Sequence, residues 1–436
     1  MTTAALSLLR RALADLGVDG ELLVGMPSPA PVPLPSRLAT GDLAWASVAA
    51  ALLSVHGDPA ALDSERIALA YRSDRHLSVG GVAPSVWSPY SGFWRTIDGW
   101  IRSHGNYPHH AAALRAAVHL DPAAAPEVLA RTLAERRTAE AVATITGSGG
   151  LVVPVRRENA ETDAVLRAAP LLEVQRFAHR DMATPVRRHD PSSPLAGIRV
   201  LDLTRVIAGP VCTRTLALWG ADVLRIDPPH LSEPAWQHLD TGHGKRSARL
   251  DARSERMHEL LAEADVVVLG YRPTALTRLG LDPDTLVERY PGLVIAQLTA
   301  WGIEHPDRRG FDSLVQAESG ISWIESPDGA RPGSLPAQAL DHSAGYLLAA
   351  AIATLVVRRA DEPGTWLVRT SLRRLAAELL GMPRRADPAT ATTIDPAPHR
   401  QRFDVDGVEL VTVRPVLPHT IFAAPHPWGS DAPAWS

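Results

Sequence analysis

The sequence has a single cysteine, Cys212, among its 436 residues. One cysteine excludes an internal disulfide and any zinc or iron–sulfur site that needs several cysteines. Proteins kept in a reducing compartment use cysteine in this way, so we expect a cytoplasmic location. The 17 histidines lack the spacing of a two-histidine metal motif with an accompanying carboxylate, and we predict no metal site.

Lysine is nearly absent: the chain has one lysine, Lys245, and 43 arginines, against 48 acidic residues. The formal net charge of −4 gives no overall positive field for holding nucleic acid or an anionic membrane. We therefore predict no nucleic-acid partner, and any anion must be bound by a local group of arginines.

The chain also lacks a long apolar run. The longest, Gly345 to Val357, is shorter than the roughly 20 residues that span a bilayer. Met1 to Leu16 has neither the basic start nor the cleavage site of a secretory signal. We expect a soluble protein without a membrane segment.

Proline-rich stretches divide the chain and read as linkers. They are Pro27 to Pro35, Thr184 to Pro194 and Asp387 to Pro398. We predict a helical segment with a small α+β domain over residues 1–190, a Rossmann-like domain over 191–385, and a linker and tail over 386–436.

The region before Pro194 is predicted to be mostly helical. Helical spacing of apolar residues occurs in Leu43 to Val55, His110 to Val118 and Ala125 to Ala143, and strand-like runs in Ile67 to Tyr71 and Leu151 to Val155. Pro89 to Ile101 is predicted to form a hairpin, because Asp98-Gly99 can supply the positive φ of a tight turn.

After Pro194, short apolar runs alternate with helical patterns. The runs are Ile198 to Leu203, Asp222 to Ile226, Val266 to Leu269 and Leu293 to Leu298. Repeated strand–helix–strand units predict an open α/β domain with a parallel sheet. Ligands of such sheets bind outside the carboxyl ends of the strands.

Several cations lie in or near the loops that should follow these strands. They are Lys245, Arg246, Arg272, Arg278, Arg308 and Arg309. Together at one sheet edge they favour a phosphate-bearing, nucleotide-like ligand, on which Tyr271 could stack. Each arginine taken alone fits a solvated surface role better.

Asp341 stands before a long apolar helix. Its position fits a helix N-cap, and a carboxylate there can also act as a nucleophile in acyl transfer. Asp42, followed by another alanine-rich helix, is a weak echo of it. Two ordinary core helices explain that echo equally well.

In order and spacing, these segments resemble the class III CoA-transferases, the family of formyl-CoA and carnitine-type enzymes that also contains the α-methylacyl-CoA racemases. The matching segments are Pro194 to Arg205, Ala208-Gly209-Pro210, Leu218 to Val223, Gly244 to Ser247, Ala264 to Val268, Gly310-Phe311-Asp312 and the Asp341 helix. The resemblance covers roughly residues 194–375.

The resemblance implies that Asp341 is the nucleophile of a transfer of CoA from an acyl-CoA to a carboxylic acid, without a covalently bound cofactor. It places Val206, Ile207, Tyr271, Arg278 and Arg309 against CoA, with Lys245 and Arg246 supporting the phosphate region. It also implies an interlocked homodimer.

The sequence departs from the family pattern in its order. The first 190 residues resemble the later portion of the family, placed ahead of the Rossmann-like half. Gly270 replaces a frequent asparagine. Phe311 stands where the racemases have histidine, and since phenylalanine cannot move a proton, racemase chemistry is disfavoured. A CoA-binding or scaffold protein without turnover remains the alternative to an enzyme.

Overall fold

The structure is a computed structural model that describes residues 4–178, 193–388 and 392–436. Most of the proline-rich stretch Thr184 to Pro194 lies outside these residues, as does the boundary predicted at residues 190 and 191. The division into three domains therefore stays a prediction.

The strands are β1 (Ser78–Val79), β2 (Phe93–Arg95), β3 (Trp100–Ser103), β4 (Val152–Pro154), β5 (Glu173–Phe177), β6 (Arg199–Leu203), β7 (Asp222–Asp227), β8 (Arg246–Arg249), β9 (Val266–Leu269), β10 (Val294–Thr299), β11 (Thr365–Ser371), β12 (Arg400–Val405) and β13 (Val408–Val413).

The α-helices are α1 (Ala4–Asp15), α2 (Thr40–Leu53), α3 (Ser64–Ala70), α4 (Pro108–Ala117), α5 (Pro126–Ala134), α6 (Thr138–Gly147), α7 (Ala160–Ala168), α8 (Ala208–Leu218), α9 (Ala235–Thr241), α10 (Glu255–Glu263), α11 (Pro273–Leu279), α12 (Pro283–Arg289), α13 (Asp312–Ser319), α14 (Ile321–Ile324), α15 (Ala339–Arg358) and α16 (Leu372–Gly381). Short 3₁₀ turns occur at Gly20–Leu23, Pro59–Ala61, Ser73–Arg75 and Ala397–His399.

A seven-stranded sheet forms the centre of the fold, in the order β5-β11-β10-β9-β6-β7-β8. The six strands from β11 to β8 run parallel, as the alternating pattern predicts. All four residues of β9 are fully buried, because helices cover both faces of such a sheet. The α/β fold with an open parallel sheet is confirmed.

The N-terminal region joins this sheet and also forms part of two smaller ones. β5 pairs antiparallel with β11 at the sheet edge. β2, β3 and β4 form a three-stranded antiparallel sheet, and β1 pairs with β13 of the C-terminal tail. The predicted strand Leu151 to Val155 is confirmed as β4. The chain therefore folds back so that its first and last segments meet.

The hairpin predicted at Pro89 to Ile101 is confirmed, since β2 and β3 pair antiparallel. The reason given for it is wrong, because neither Asp98 nor Gly99 has a positive φ. The loop is closed instead by Thr96 N–H, which donates to the Gly99 carbonyl at 3.0 Å. The Asp98 carboxylate accepts from Thr138 N–H at 2.7 Å.

Two other predictions in this region need correction. Ile67 to Tyr71 belongs to helix α3 and its C-cap, because Asp63 caps that helix by accepting from Glu65 and Arg66 N–H. The echo of the Asp341 segment therefore fails at its strand. Ala125 to Ala143 forms two helices, α5 and α6, rather than one.

The apolar run Gly345 to Val357 lies within helix α15, which has 20 residues and is, by length and composition alone, apolar enough to cross a bilayer. Most of this helix is buried inside the protein, as in the core helix of a soluble protein.

Helix α15 packs against α8 so closely that a Cβ on Gly345 would lie 2.6 Å from the Ala208 carbonyl oxygen. Glycine at 345 permits this approach.

Gly345→Ala should lower the free energy of unfolding, because the added methyl meets backbone that cannot turn away. Overpacking of this kind costs about 1–3 kcal/mol, more than the higher helix propensity of alanine returns. Gly147→Ala is the matched control, since a Cβ on that helical glycine meets nothing within 4 Å. Urea denaturation of both variants measures the difference; equal stabilities would contradict the close packing.

Candidate functional site

Asp341 lies in the first turn of α15 and is 7% exposed. Gln338 occupies the N-cap position, so the N-cap interpretation of Asp341 is not realised. Its backbone N–H donates to Asp312 Oδ2 at 2.9 Å, while its carboxyl group has no hydrogen bond within the described residues. Burial, and secondarily the Asp312 carboxylate, raises the pKa of Asp341 well above its ordinary value.

Asp341 lines a cleft of about 320 Å³ at the carboxyl ends of β6, β9 and β10. The structure brings Val206, Tyr271, Arg272 and Arg309 to this cleft. It is the sheet edge where ligands of open α/β folds bind. These residues come from three separate loops, which meet at this edge of the sheet.

A second, smaller cavity of about 40 Å³ also has Asp341 in its wall. Ile207 lines this cavity rather than the cleft, together with His104, Trp87 and Trp236. We call it the small cavity. Asp341 thus lies where two spaces of very different size adjoin.

The N-terminal region forms one wall of the cleft through Tyr107, His109, His110 and Leu151. His104, from the same region, stacks on Phe311 with 3.8 Å between ring centroids. Of these residues, His110 is buried beside the cleft. These residues lie far from Asp341 in sequence, and no local sequence pattern predicts that they form a wall of the cleft.

The loop between β6 and α8 is held in a strained conformation. Val206 has a φ of +74°, which is rare for a β-branched residue. Its N–H donates to Glu233 Oε1 at 2.6 Å. Arg225 donates in turn to Glu233 Oε2 at 2.6 Å, and the side chains of this pair are fully buried. A buried ion pair therefore fixes the loop that borders Asp341.

Helix α8 begins at this loop without a side-chain cap. Within the described residues, no partner is found for the backbone N–H groups of Ala208 and Gly209, as is usual in a first helical turn. Both residues line the cleft. The cleft therefore has free backbone donors near a buried carboxyl group.

Lys245 and Arg246 do not reach the cleft, which corrects the expected convergence of cations. Lys245 is buried and donates to Asp202 Oδ2 at 3.0 Å and to the Pro210 carbonyl at 2.9 Å. Arg246 lies at the amino end of β8 and pairs with Asp222 at 2.6 Å. The charged groups of both side chains are paired inside the protein instead of facing the cleft.

Arg278 lies in α11 and is exposed; it does not line the cleft either. The cations that do are Arg205, Arg272 and Arg309, and sequence reasoning missed Arg205. Arg309 donates to the Gly149 carbonyl at 3.2 Å. The glycine segment at 147–150 therefore lies next to the cleft. It lines a neighbouring cavity of about 480 Å³.

The hydroxyl of Tyr271 is buried and has no hydrogen-bond partner within the described parts of the chain. Burial raises the pKa of this hydroxyl.

The single cysteine, Cys212, is buried in α8. Across residues 4–178, 193–388 and 392–436, no group of three or more metal-ligating side chains is found.

The protein is thus an α/β protein with an open parallel sheet, in which a buried aspartate lies beside an arginine-bearing cleft. Residues 195–405 match CoA-transferase family III. This segment, a little under half of the chain, belongs to that family.

Named relatives match part of the chain. "Probable fatty acyl-CoA transferase Rv3272" of Mycobacterium tuberculosis is 35% identical over 191 residues, which is 39% of this chain and 48% of the relative. "Cinnamoyl-CoA:phenyllactate CoA-transferase" of Clostridium sporogenes is 36% identical over 180 residues, 36% of this chain and 44% of the relative. The match thus spans about half the length of each relative.

A crystal structure of the Mycobacterium tuberculosis protein Rv3272 is also similar. It is 33% identical and covers 43% of this chain and 56% of that one, with a TM-score of 0.40.

Glu233→Gln should strongly destabilise the fold, because Arg225 would be left as a buried charge with half of its partners. Breaking a buried pair costs about 3–5 kcal/mol. Glu409→Gln, in an exposed pair with Arg402 at 2.8 Å, is the matched control and should cost at most about 1 kcal/mol. Chemical denaturation measures both. A loss no larger than that of the control would contradict the structural role of Glu233.

Proposed function

We propose that the protein transfers CoA from an acyl-CoA donor to a carboxylic acid, with Asp341 as the nucleophile. The observation that carries this proposal is a buried carboxyl group, free of side-chain hydrogen bonds within the described residues, at the meeting point of two cavities. Relatives named as CoA-transferases support it.

The reaction proceeds in balanced steps. The Asp341 carboxylate attacks the thioester carbonyl, a C–O bond forms, the C–S bond breaks, and CoA leaves as thiolate. The product is a mixed anhydride between Asp341 and the acyl group. The thiolate attacks the aspartyl carbonyl of this anhydride, which leaves Asp341 as a CoA thioester and releases the first acid as its carboxylate. The acceptor carboxylate then displaces CoA from the aspartyl thioester, and the returning thiolate releases the new acyl-CoA and Asp341. One thioester replaces another, so the exchange needs no ATP.

The chain's own groups support these steps. The free N–H groups of Ala208 and Gly209 are suited to stabilise negative charge on the attacked carbonyl oxygen. Arg272 and Arg309 are suited to bind phosphate groups of CoA, with the cavity beside the 147–150 segment as further space for the cofactor arm.

A second candidate is proton transfer at the carbon next to the thioester, as in the racemases. His104, stacked on Phe311 beside Asp341, is the observation that favours it. Burial lowers the pKa of His104 to about 3, which makes it a poor base, so this candidate ranks second. Deuterium uptake at that carbon in D₂O without CoA transfer would favour it over the first.

The interlocked homodimer and the cytoplasmic location stay predictions. Since both halves of one chain line the cleft, we propose that the site does not depend on residues from a second copy.

Asp341→Asn should abolish covalent labelling and lower turnover by orders of magnitude, because an amide cannot attack a thioester. The measurement is incubation with acyl-CoA followed by hydroxylamine, with mass spectrometry of the Asp341 peptide. Asp42→Asn is the matched control: Asp42 also lies in the first turn of an apolar helix and should label normally. CoA binding without labelling by any acyl-CoA would favour the scaffold alternative.

Labelling should also depend on pH. Only the ionised carboxylate attacks, and the raised pKa of Asp341 moves the onset of labelling above the pH range of an exposed aspartate. Asp312→Asn removes the neighbouring carboxylate, so the pKa of Asp341 should fall and the acidic limb should shift to lower pH. Burial remains as the larger cause, so the shift is partial. Single-turnover labelling rates between pH 4 and pH 9 test this; an unchanged limb would contradict it.

A further inference from the structure

Two of the described cavities have Asp341 in their walls: the arginine-bearing cleft and, adjoining it, the small cavity. The cleft has Arg205, Arg272 and Arg309 in its wall and is the side suited to phosphates. When the thioester carbon of an acyl-CoA lies at the Asp341 carboxylate, its CoA arm and its acyl group must extend in different directions. Because the CoA arm occupies the cleft, the small cavity is the space available to the acyl group.

The size of this cavity limits what it holds. Its volume is about 40 Å³, a few times the roughly 10–15 Å³ of free space that a cavity needs to hold one water molecule. Trp87 and Trp236 form part of its wall. Large, stiff indole rings leave room for an acyl group of only a few atoms.

The charge of the cavity is one-sided. Asp74, Asp312 and Asp341 line it, and no lysine or arginine is among its lining residues. His104, also in the wall, is 5% exposed, and its Nδ1 has no hydrogen-bond partner in the described residues. The cavity offers uncharged polar groups, but no cation for a second carboxylate on the acyl group.

We propose that the small cavity is the acyl site and that it selects short, uncharged acyl groups, of about two to four carbons, against both dicarboxylic and long-chain acyl groups. The inference rests on the proposed CoA transfer through Asp341. It assigns part of the choice of acid to side chains outside residues 195–405, since Asp74, Trp87 and His104 come from the N-terminal region.

The test compares propionyl-CoA, succinyl-CoA and octanoyl-CoA as donors, by the second-order rate of Asp341 labelling. The assay is run at pH 8, above the pKa of about 6 to which burial raises both Asp74 and Asp312. Propionyl-CoA should react faster than either of the others by about tenfold or more.

Two variants separate size from charge. Trp236→Ala widens the cavity and should raise the octanoyl rate relative to the propionyl rate. Asp74→Asn removes one negative charge and should raise the succinyl rate relative to the propionyl rate. Trp323→Ala is the control: Trp323 packs under Arg157, lines neither cavity, and should leave all three ratios unchanged.

The outcomes are distinguishable. If succinyl-CoA or octanoyl-CoA labels Asp341 as fast as propionyl-CoA, the acyl-site inference is overturned while CoA transfer stands. If Trp236→Ala leaves the octanoyl-to-propionyl ratio unchanged, or Asp74→Asn leaves the succinyl-to-propionyl ratio unchanged, the assignment of that residue to the wall of the acyl site is overturned. If no acyl-CoA labels Asp341, the proposed function fails and the inference fails with it.

Discussion

The close crossing of α8 and α15 is the contact on which the site depends. Gly345 lets the two helices approach until backbone meets backbone. Asp341 lies one turn earlier in α15, so the crossing fixes its carboxyl group next to the first turn of α8. A cleft built in this way needs no long loop to hold the aspartate in place, because packing of two core helices already does so.

The second constraint is the set of buried charges behind the loop from β6 to α8. Glu233 holds Val206 in a left-handed conformation from one side. Lys245 ties Asp202 to the Pro210 carbonyl from the other. A compact ammonium suits a fully enclosed site between two oxygens better than the wide fork of a guanidinium. This explains how a chain so rich in arginine comes to use its one lysine here, in a structural role.

Sequence patterns predict the elements whose signals are local. Alternating apolar runs give the parallel sheet, and loops after strands lead to Tyr271 and Arg272. The errors arise where tertiary contacts decide. Ile67 to Tyr71 reads as a strand but is helical because Asp63 caps it. Lys245 reads as a phosphate ligand, yet burial lowers its pKa to about 8 and Asp202 pairs with it. Partners distant in sequence determine both outcomes.

The same reasoning explains why the N-terminal wall of the site was not predicted. His104 and His110 come within reach of Phe311 only after β3 and α4 are placed against the sheet, and the order of segments in the chain gives no sign of this. β5 pairs with β11 at the edge of that sheet, which anchors the region to the half that contains Asp341. The rearranged order is therefore compatible with one continuous cleft, because a fold depends on which surfaces meet rather than on the order in which the chain supplies them.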